Sequence, residues 1–263
     1  MLWGRFASRA SEARYPQLWQ GRVFGVCPSV QGPAGLNVYD LSGRGRHGTL
    51  TNMDAPTDWV RSQGLYSLDF DGTNDYVGGF RNIQVSAGLT ISAWFAAGST
   101  SKVRHSIYFG STDQSPDIYA HIEQVSGTTY APNLYLSNGY VGVGTSFTLD
   151  SAWHHYAWTL SADAATVRYY QDGESLGSVT NARTVTQDNT SGSIGGTPES
   201  VLTSIGFTAL GKIDDVARYS RELTAGEVRL LAIRRGIAYE ARRDVFGVVT
   251  TNRLRRILCG GNC

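Results

Sequence analysis

The chain has 263 residues, of which 31 are Gly, 11% are aromatic and only 17% are charged, whereas charged residues usually make up about a quarter of a globular protein. Hydrophobic residues at 41% exclude intrinsic disorder, and no apolar run approaches the roughly 20 residues of a membrane-spanning helix, which excludes an integral membrane protein. Abundant Gly and few charges favour an all-β protein that is large enough to bury a substantial core.

The formal net charge of +1 conceals an uneven distribution of charge along the chain. Residues 218–263 contain ten Arg and four acidic residues, a local balance of +6, which leaves −5 on residues 1–217. Because guanidinium groups bind phosphate or carboxylate in a bidentate way, the basic ends could bind nucleic acid or an acidic protein surface. The arginines are mixed with apolar residues and form no solid basic run, which favours a protein partner over nucleic acid.

Residues 1–35 are predicted to form an extended arm ahead of a β domain. Residues 8–15 could form a short helix that ends before Pro16, and the breaker-rich stretch 27–35 is typical of an extended connector. The first residues lack the long apolar stretch and the cleavage site of a secretory signal. This predicts a protein that stays in the cytoplasm or is assembled there into a larger particle.

The stretch from about residue 36 to residue 217 predicts many short antiparallel strands. Turn-forming pairs separate them, namely Asp-Gly at 71–72 and 172–173, Asn-Gly at 138–139 and Gly-Gly at 195–196. Such a series is typical of a sandwich, a jelly roll or a barrel. The clearest predicted strands are 65–70, 89–95, 106–110, 118–122, 134–136, 153–160, 166–171 and 207–218.

One short helix is predicted after the last of these strands. Thr224 and Glu227 have the spacing of a capping box, in which each side chain satisfies a free backbone N–H of the first turn. Val228 and Leu231 then provide an apolar stripe, and Gly236 is a stop signal. The residues beyond it are expected to form a basic tail.

Six landmarks occur in a characteristic order: VYDLSGRGRHGTL at 38–50, LDFDGTNDYV at 68–77, LTISAWF at 89–95, WHHYA at 153–157, RYYQDG at 168–173 and GKIDDVARYSRELT at 211–224. In this order they resemble a laminin-G-like jelly roll of the concanavalin A-like lectin/glucanase superfamily. The resemblance implies an all-β, antiparallel jelly-roll β-sandwich with one short C-terminal helix and extended termini. It divides the chain into an N-terminal attachment arm (1–35), a jelly roll (36–235) and a basic C-terminal tail (236–263).

The ends of the chain carry a narrower resemblance. Residues 16–59 and the stretch that begins at residue 230 resemble such domains in tailed-phage and marine bacterial genomes. This implies a virion-associated protein, such as a capsid decoration or a fibre-like component, although a fold does not determine a function.

A departure from the pattern of the superfamily's enzymes predicts that this chain is not an enzyme. The glucanases of the superfamily carry a Glu-x-Asp-x-x-Glu strand, whose carboxylates act as nucleophile and acid. None of the seven Glu residues of this chain is followed by x-Asp. No nucleophile-elbow sequence accompanies His154 and His155, which lie on an expected core strand. A glycoside hydrolase with unconventional carboxylates is the third and weakest alternative.

Members of the superfamily often hold a Ca²⁺ ion near the sandwich edge, and this ion binds six to eight hard oxygen ligands. Asp-Gly and Asn-Asp pairs also form turns, so a purely structural role of the acidic residues stays open. The candidate Ca²⁺ ligands are Asp69, Asp71, Asn74 and Asp75 on one turn, with Asp214 and Asp215 on a late strand that could lie beside it.

Two kinds of partner surface are expected. A glycan site needs aromatic faces, amides and carboxylates, although Tyr also packs well on half-buried strands. The candidate glycan-binding residues are Tyr119, Tyr130, Tyr135 and Tyr140, with Glu123, Gln124, Asn133 and Asn138 between them. Trp and Arg dominate protein interfaces, and the candidate partner-docking residues are Trp3, Arg5, Arg9, Arg14, Trp19, Arg242, Arg243, Arg255 and Arg256.

These features support two functional hypotheses. In the first, the chain is a non-enzymatic structural or adhesive virion protein whose jelly roll is displayed while its Arg-rich termini dock on a capsid or on sister subunits. In the alternative, it is a lectin-like carbohydrate-binding module of a bacterial cell-associated protein, with or without Ca²⁺. The first hypothesis predicts a location in the virion, and otherwise the protein is expected in the cytoplasm.

Overall fold

The structure, a computed structural model, describes residues 6–84, 88–111, 116–136, 139–183, 189–196 and 207–242. Within these ranges three short helices accompany the strands, and no helix is long and apolar enough to cross a membrane. The helices are α1 (Pro28–Gln31), α2 (Ala55–Asp58) and α3 (Ala225–Leu231), with 3-10 turns at Pro16–Trp19 and Ile237–Tyr239. The strands are β1 (Arg22–Val26), β2 (Asn37–Val38), β3 (Gly48–Thr51), β4 (Trp59–Ser62), β5 (Leu65–Asp71), β6 (Tyr76–Gln84), β7 (Leu89–Ala97), β8 (Arg104–Ser111), β9 (Pro116–Ser126), β10 (Thr129–Leu136), β11 (Gly139–Val143), β12 (Phe147–Thr148), β13 (His154–Leu160), β14 (Thr166–Gln171), β15 (Glu174–Thr180), β16 (Asn189–Ile194) and β17 (Leu210–Tyr219).

The described strands form two antiparallel sheets. An eight-stranded sheet has the order β15-β14-β13-β7-β17-β5-β4, and β1 also pairs with β17. A nine-stranded sheet has the order β11-β10-β9-β8-β16-β6-β3-β2, and β12 also pairs with β10. Neighbours such as β7 and β17 are far apart in sequence, as a jelly roll requires. The arrangement confirms the predicted all-β jelly-roll sandwich.

The main core lies between the two sheets, and strand alternation decides which residues enter it. On β5, Leu68 and Phe70 are buried in the core, while Asp69 between them lies on the outer face. On β13, Tyr156 and Trp158 are fully buried in the same cluster. Because burying a large apolar side chain contributes about 1.5–3 kcal/mol, this alternating register strongly favours the observed pairing.

A second apolar cluster covers part of the outer face of the eight-stranded sheet. Helix α3 begins with the predicted capping box: the Thr224 hydroxyl accepts the Glu227 N–H at 3.3 Å, and Glu227 accepts the Thr224 N–H at 2.9 Å. Val228 and Leu231 are buried on the side of the helix that contributes to this cluster, together with Tyr239 of the last 3-10 turn. The helix therefore shields one end of the outer face.

The N-terminal segment departs from the predicted extended arm. All five residues of β1 are buried, and the strand pairs with β17 from Arg22↔Tyr219 to Val26↔Val216. The fully buried ring of Phe24 belongs to the main core. Residues 8–15 form turns rather than the predicted helix. Residues 22–26 are thus an integral strand of the sandwich, because they bury more apolar surface there than an exposed arm would.

Candidate functional site

An aromatic and polar cluster lies on the outer face of the nine-stranded sheet. Strand β9 directs Tyr119, His121 and Glu123 to this face, whereas its intervening residues enter the main core. Strands β8, β10 and β11 supply further members, and one member precedes β17. We call this set the outer-face cluster, and its members are Arg104, Phe109, Tyr119, His121, Glu123, Asn133, Tyr135, Tyr140 and Phe207.

The aromatic rings of the cluster differ in solvent exposure, from fully buried rings next to the sheet to one well-exposed ring. The Tyr119 ring stacks on His121 at 4.2 Å between centroids, and the Phe207 ring lies 4.8 Å from Tyr119. Tyr140 lies edge-on to Tyr135 at 5.3 Å and 88°. Tyr119 and His121 are fully buried, whereas the side chain of Tyr140 is 39% exposed. Tyr140 and the partly buried Tyr135 therefore offer aromatic surface to a ligand.

A hydrogen-bonded network surrounds the carboxylate of Glu123. Arg104 and Asn133 donate to its two oxygens, the latter at 3.2 Å, and Nε2 of His121 lies 3.5 Å away. The nearby His121 imidazole and the hydrogen bond from Arg104 lower the pKa of Glu123 to about 2. Burial lowers the pKa of His121 to about 4. At neutral pH the network therefore holds one anion, one cation and a neutral imidazole.

The Arg104 guanidinium joins the polar network to the aromatic rings. Its carbon lies 4.8 Å from the centroid of Phe207 and 5.8 Å from that of Tyr140. The resulting surface offers a carboxylate that accepts hydrogen bonds, a guanidinium that donates them and an aromatic face, which are the groups that bind sugar hydroxyls and sugar C–H faces. The contacts of its described side chains include one carboxylate, that of Glu123, whereas glycoside hydrolysis ordinarily uses two.

The structure brings together three of the four predicted glycan-binding tyrosines. Tyr130 is the exception, because strand alternation on β10 turns it into the main core, where its hydroxyl donates to the carbonyls of Thr100 and Lys102. Glu123 and Asn133 join the cluster as well, while Asn138 lies outside the described residues. The members that the sequence reasoning missed are Arg104, Phe109, His121 and Phe207. Of these, His121 could have been found from the alternation of β9.

The predicted Ca²⁺ turn is occupied by its own hydrogen bonds. Asp71 accepts the Thr73 N–H at 2.7 Å, and Asp75 accepts the Asp71 N–H at 2.9 Å. The ammonium of Lys102 donates to the Gly72 carbonyl at 2.9 Å, a position in which it would repel a second cation. Throughout the part of the chain that the structure describes, no group of three or more His, Cys, Asp or Glu is arranged to hold a metal ion. Asn74, the remaining residue of this turn, donates its N–H toward Asp71 at 3.4 Å, and Asp69 lies on the neighbouring strand β5.

Asp214 and Asp215 lie in a different environment from this turn. Asp71 pairs with Leu210, and Asp214 is four residues further along β17, or about 13 Å at the usual rise of a strand. Both carboxyls are buried against cations: Asp214 lies 3.5 Å from Arg235, and Asp215 lies 3.9 Å from Arg22. Burial raises the pKa of Asp214 to about 7 and also raises the pKa of Asp215. The two residues thus fasten β17 to the N-terminal and C-terminal segments.

Trp19, a predicted docking residue, is engaged within the chain. Its indole N–H donates to the Ala238 carbonyl at 2.7 Å, and its ring meets Tyr239 edge-on at 5.7 Å. The buried guanidinium of Arg22 lies 5.7 Å from the same indole. Trp19 therefore stabilises the contact between the two terminal segments.

The described docking arginines also have partners in the chain, but they are accessible. Arg9 bonds to Glu12 at 2.9 Å, Arg14 bonds to Glu240 at 2.8 Å, and Nε of Arg242 donates to a backbone carbonyl of the N-terminal segment. Arg9 and Arg14 are well exposed, so these pairs cost little to exchange. The predicted docking residues that lie outside the described ranges are Trp3, Arg5, Arg243, Arg255 and Arg256.

Similarities to known proteins agree with the fold. Residues 71–229 match the family model described as concanavalin A-like lectin/glucanases superfamily, in its laminin-G type. No curated protein is similar enough in sequence to count as a match.

Solved structures share the architecture at low sequence identity. Domain 4 of an extracellular arabinanase from Geobacillus stearothermophilus, solved with arabinotriose, has a TM-score of 0.61 at 18% identity, with coverage of 80% of this chain and 98% of that one. A sialidase of Trypanosoma rangeli, in complex with sialic acid, has a TM-score of 0.57 at 17% identity, with coverage of 81% of this chain and 33% of that one. The native heptameric pentraxin of Limulus polyphemus has a TM-score of 0.51 at 16% identity, with coverage of 67% and 88%. The chain thus corresponds to about a third of the sialidase and to nearly the whole of the arabinanase domain.

Proposed function

Because the chain belongs to the concanavalin A-like lectin/glucanase superfamily, we propose that it is a non-enzymatic carbohydrate-binding module and that the outer-face cluster is its binding site. The observation that carries the proposal is the convergence of Tyr135 and the exposed Tyr140 with the partly buried Arg104–Glu123 ion pair on one sheet face. An arabinanase domain of similar fold was solved with arabinotriose, which supports this class of ligand.

The charge balance of the cluster favours a neutral sugar. The Arg104 cation is already compensated by Glu123, and the neutral His121 adds no charge at pH 7. An acidic sugar would have to compete with Glu123 for the guanidinium, whereas hydroxyl groups can bond to both partners of the ion pair. The single carboxylate among the contacts of the cluster supports binding without hydrolysis.

A glycan array of neutral oligosaccharides, probed with and without a chelator, tests the proposal. Tyr140→Ala should weaken binding of the best ligand roughly 2- to 12-fold, since an aromatic contact contributes about 0.5–1.5 kcal/mol beyond its buried area. Tyr39→Ala is the matched control, because Tyr39 is similarly exposed at 41% and is not a member of the cluster. Absence of any retained glycan in both conditions, or equal affinities of the two variants, would refute the proposal. Binding that is seen without the chelator and lost when the chelator is added would support the alternative that a Ca²⁺ ion takes part in glycan binding.

The second candidate function is attachment of the chain to a larger particle, such as a virion. Segments near both ends of the chain lie side by side, because Phe6 bridges to Glu240 and Ala13 bridges to Ala241. This places the exposed arginines Arg9 and Arg14 beside the start of the basic tail. One patch could therefore bind an acidic surface of a capsid or a sister subunit.

Co-sedimentation of the native protein with particles from its source tests this attachment. The double variant Arg9→Glu/Arg14→Glu should release the protein into the supernatant, whereas Arg229→Glu, an exposed charge reversal on α3, should not. A native protein that stays in the supernatant would exclude the attachment function.

A further inference from the structure

A cavity of about 310 Å³ opens on the outer face of the eight-stranded sheet, beyond the part that the described residues of α3 cover. Its floor is formed by Ala96 of β7 and Lys212 of β17, which are paired across the two strands. Two positions earlier on the same face of β7, Trp94 donates to a carbonyl of α3, so that part of the sheet is covered. The small Ala96 side chain leaves the space open beyond it. The volume lies at the lower end of the range for small-molecule sites, about 300–1,000 Å³.

One wall of this cavity, which we call the Trp153 groove, is held rigidly. The Trp153 indole N–H donates to the Ser62 hydroxyl at 3.1 Å. The guanidinium of Arg235 lies 4.2 Å from the centroid of the Trp153 ring, and this buried Arg235 also donates to the Ser62 carbonyl at 2.7 Å. The indole is therefore fixed both at its N–H and at its ring. A fixed aromatic wall lowers the ordering cost of binding a ligand.

The polar groups at the groove are incompletely satisfied. The ammonium of Lys212, which lines the groove, lies 3.6 Å from the carboxylate of Asp69, its neighbour on the adjacent strand β5 just outside the lining, and this is longer than the 2.7–3.2 Å of a good N–H···O hydrogen bond. The two side chains are 35% and 36% exposed, so a ligand can reach both. They present a donor and an acceptor side by side, and the Ser62 hydroxyl, which accepts from Trp153, still has a proton to donate.

We infer that the Trp153 groove is a second binding site, distinct from the outer-face cluster, and that it takes a single neutral sugar ring through a vicinal diol. Each hydroxyl of a diol can both accept and donate, so one oxygen accepts from Lys212 while its neighbour donates to Asp69. The Lys212–Asp69 pair is charge-balanced, which favours a neutral ligand over a carboxylate. The groove lies on the opposite sheet from the outer-face cluster, and each site can therefore bind independently of the other.

The NMR signal of the Trp153 indole N–H should report on ligand binding in the groove, because this N–H donates a hydrogen bond to Ser62, which also lines the groove. Protein labelled with ¹⁵N-tryptophan is titrated with the methyl glycosides of glucose, galactose, mannose and arabinose, and the Trp153 signal is assigned with Trp153→Phe. At least one glycoside should shift this signal in a saturable way. Lys212→Met, which keeps the apolar stem and removes the donor, should weaken that response at least fivefold.

Two control variants separate the groove from the rest of the molecule. Lys102→Met alters the other lysine of the chain, which donates to the Gly72 carbonyl in the turn after β5. This variant should leave the response of the Trp153 signal unchanged. Tyr140→Ala should also leave it unchanged, even though it weakens glycan binding by the outer-face cluster. A signal that shifts with none of the glycosides, that shifts without saturation, or that is insensitive to Lys212→Met would overturn the inference. A response to sodium acetate in place of the glycosides would assign the groove to carboxylates and overturn it equally.

Discussion

The substitution Phe24→Ala tests whether β1 is an integral strand of the sandwich. The Phe24 ring is fully buried, with its centroid 4.5 Å from that of Phe80 and 6.3 Å from that of Tyr108. Its removal leaves a cavity between the sheets, and Phe→Ala at such a site costs about 3–5 kcal/mol of unfolding free energy. Phe6→Ala is the matched control, because Phe6 lies in the same segment but is 38% exposed. The control should cost less than about 1 kcal/mol.

Equilibrium unfolding in urea, followed by tryptophan fluorescence, measures both variants. We take an unfolding free energy that falls by about 3 kcal/mol per molar urea. The loss of stability in Phe24→Ala should then lower the urea concentration at the unfolding midpoint by about 1–1.7 M, whereas the loss in Phe6→Ala should lower it by less than about 0.3 M. The same small shift in both variants would mean that the segment is the extended arm predicted from the sequence. A large shift in both would mean that residues before β1 contribute as much as the strand itself.

Two further predictions concern a turn and a titrating pair. Gly195→Ala should lower the melting temperature by at least about 8 °C, because the new Cβ would lie 2.1 Å from the Phe70 ring and the residue has a φ of +78°. Gly127→Ala is the control: Gly127 has a φ of +53° but open space around it, so the melting temperature should fall by only about 2–6 °C. Equal losses in the two variants would exclude the steric clash with Phe70 as the cause. His154 should make the unfolding free energy depend on pH, because its hydrogen bond to Asp172 at 2.6 Å raises the pKa of its imidazole. The stabilisation from this bond is complete at pH values below the ordinary histidine pKa of about 6.5, and it is lost as the pH rises through the raised pKa. His154→Gln should therefore cost more unfolding free energy at about pH 5.5 than at about pH 9, and a cost independent of pH would contradict this.

The features that could be predicted from the sequence are those encoded by neighbouring residues. The capping box at Thr224 depends on a partner three residues away, and it is present in the structure. The predicted strand at 65–70 corresponds to β5, because Leu68 and Phe70 alternate with polar residues and an Asp-Gly turn follows. Local patterns of this kind determine where a strand runs. They do not determine its neighbours in a sheet.

Strand β1 shows why part of the fold could not be predicted. Its first residue, Arg22, is charged and lies next to turn-forming residues, so the local pattern indicates an exposed segment. In the structure, Arg22 is buried beside Asp215 and lies 4.4 Å from the ring centroid of Tyr239. A buried charge is tolerated only where partners compensate it, and both partners lie about two hundred residues away in sequence. No local pattern contains that information.

The candidate site likewise combines features that local sequence predicts with features that depend on residues distant in the chain. The alternation on β9 predicts that Tyr119 and Glu123 share a face, and they do. Tyr130 and Tyr135 on β10 are five residues apart, so alternation places them on opposite faces, and the pairing of Tyr135 with Tyr119 of β9 decides which of the two joins the cluster. The guanidinium of Arg104 reaches the cluster from another strand. Proximity of this kind follows from strand order alone.

The uneven charge of the chain has a structural explanation, and it changes the balance between the two functional hypotheses. Arg235 compensates the buried Asp214, and Arg22 from the other end compensates Asp215. Some of the arginines that make the two ends of the chain basic thus neutralise acidic residues of the jelly roll itself, which is why an acidic body and basic ends occur in one chain. Attachment must then rely on exposed arginines such as Arg9, whose pairs with acidic residues are weak enough to exchange. Glycan binding does not depend on the charge of the termini at all, so reversing that charge separates the two hypotheses in a single set of variants.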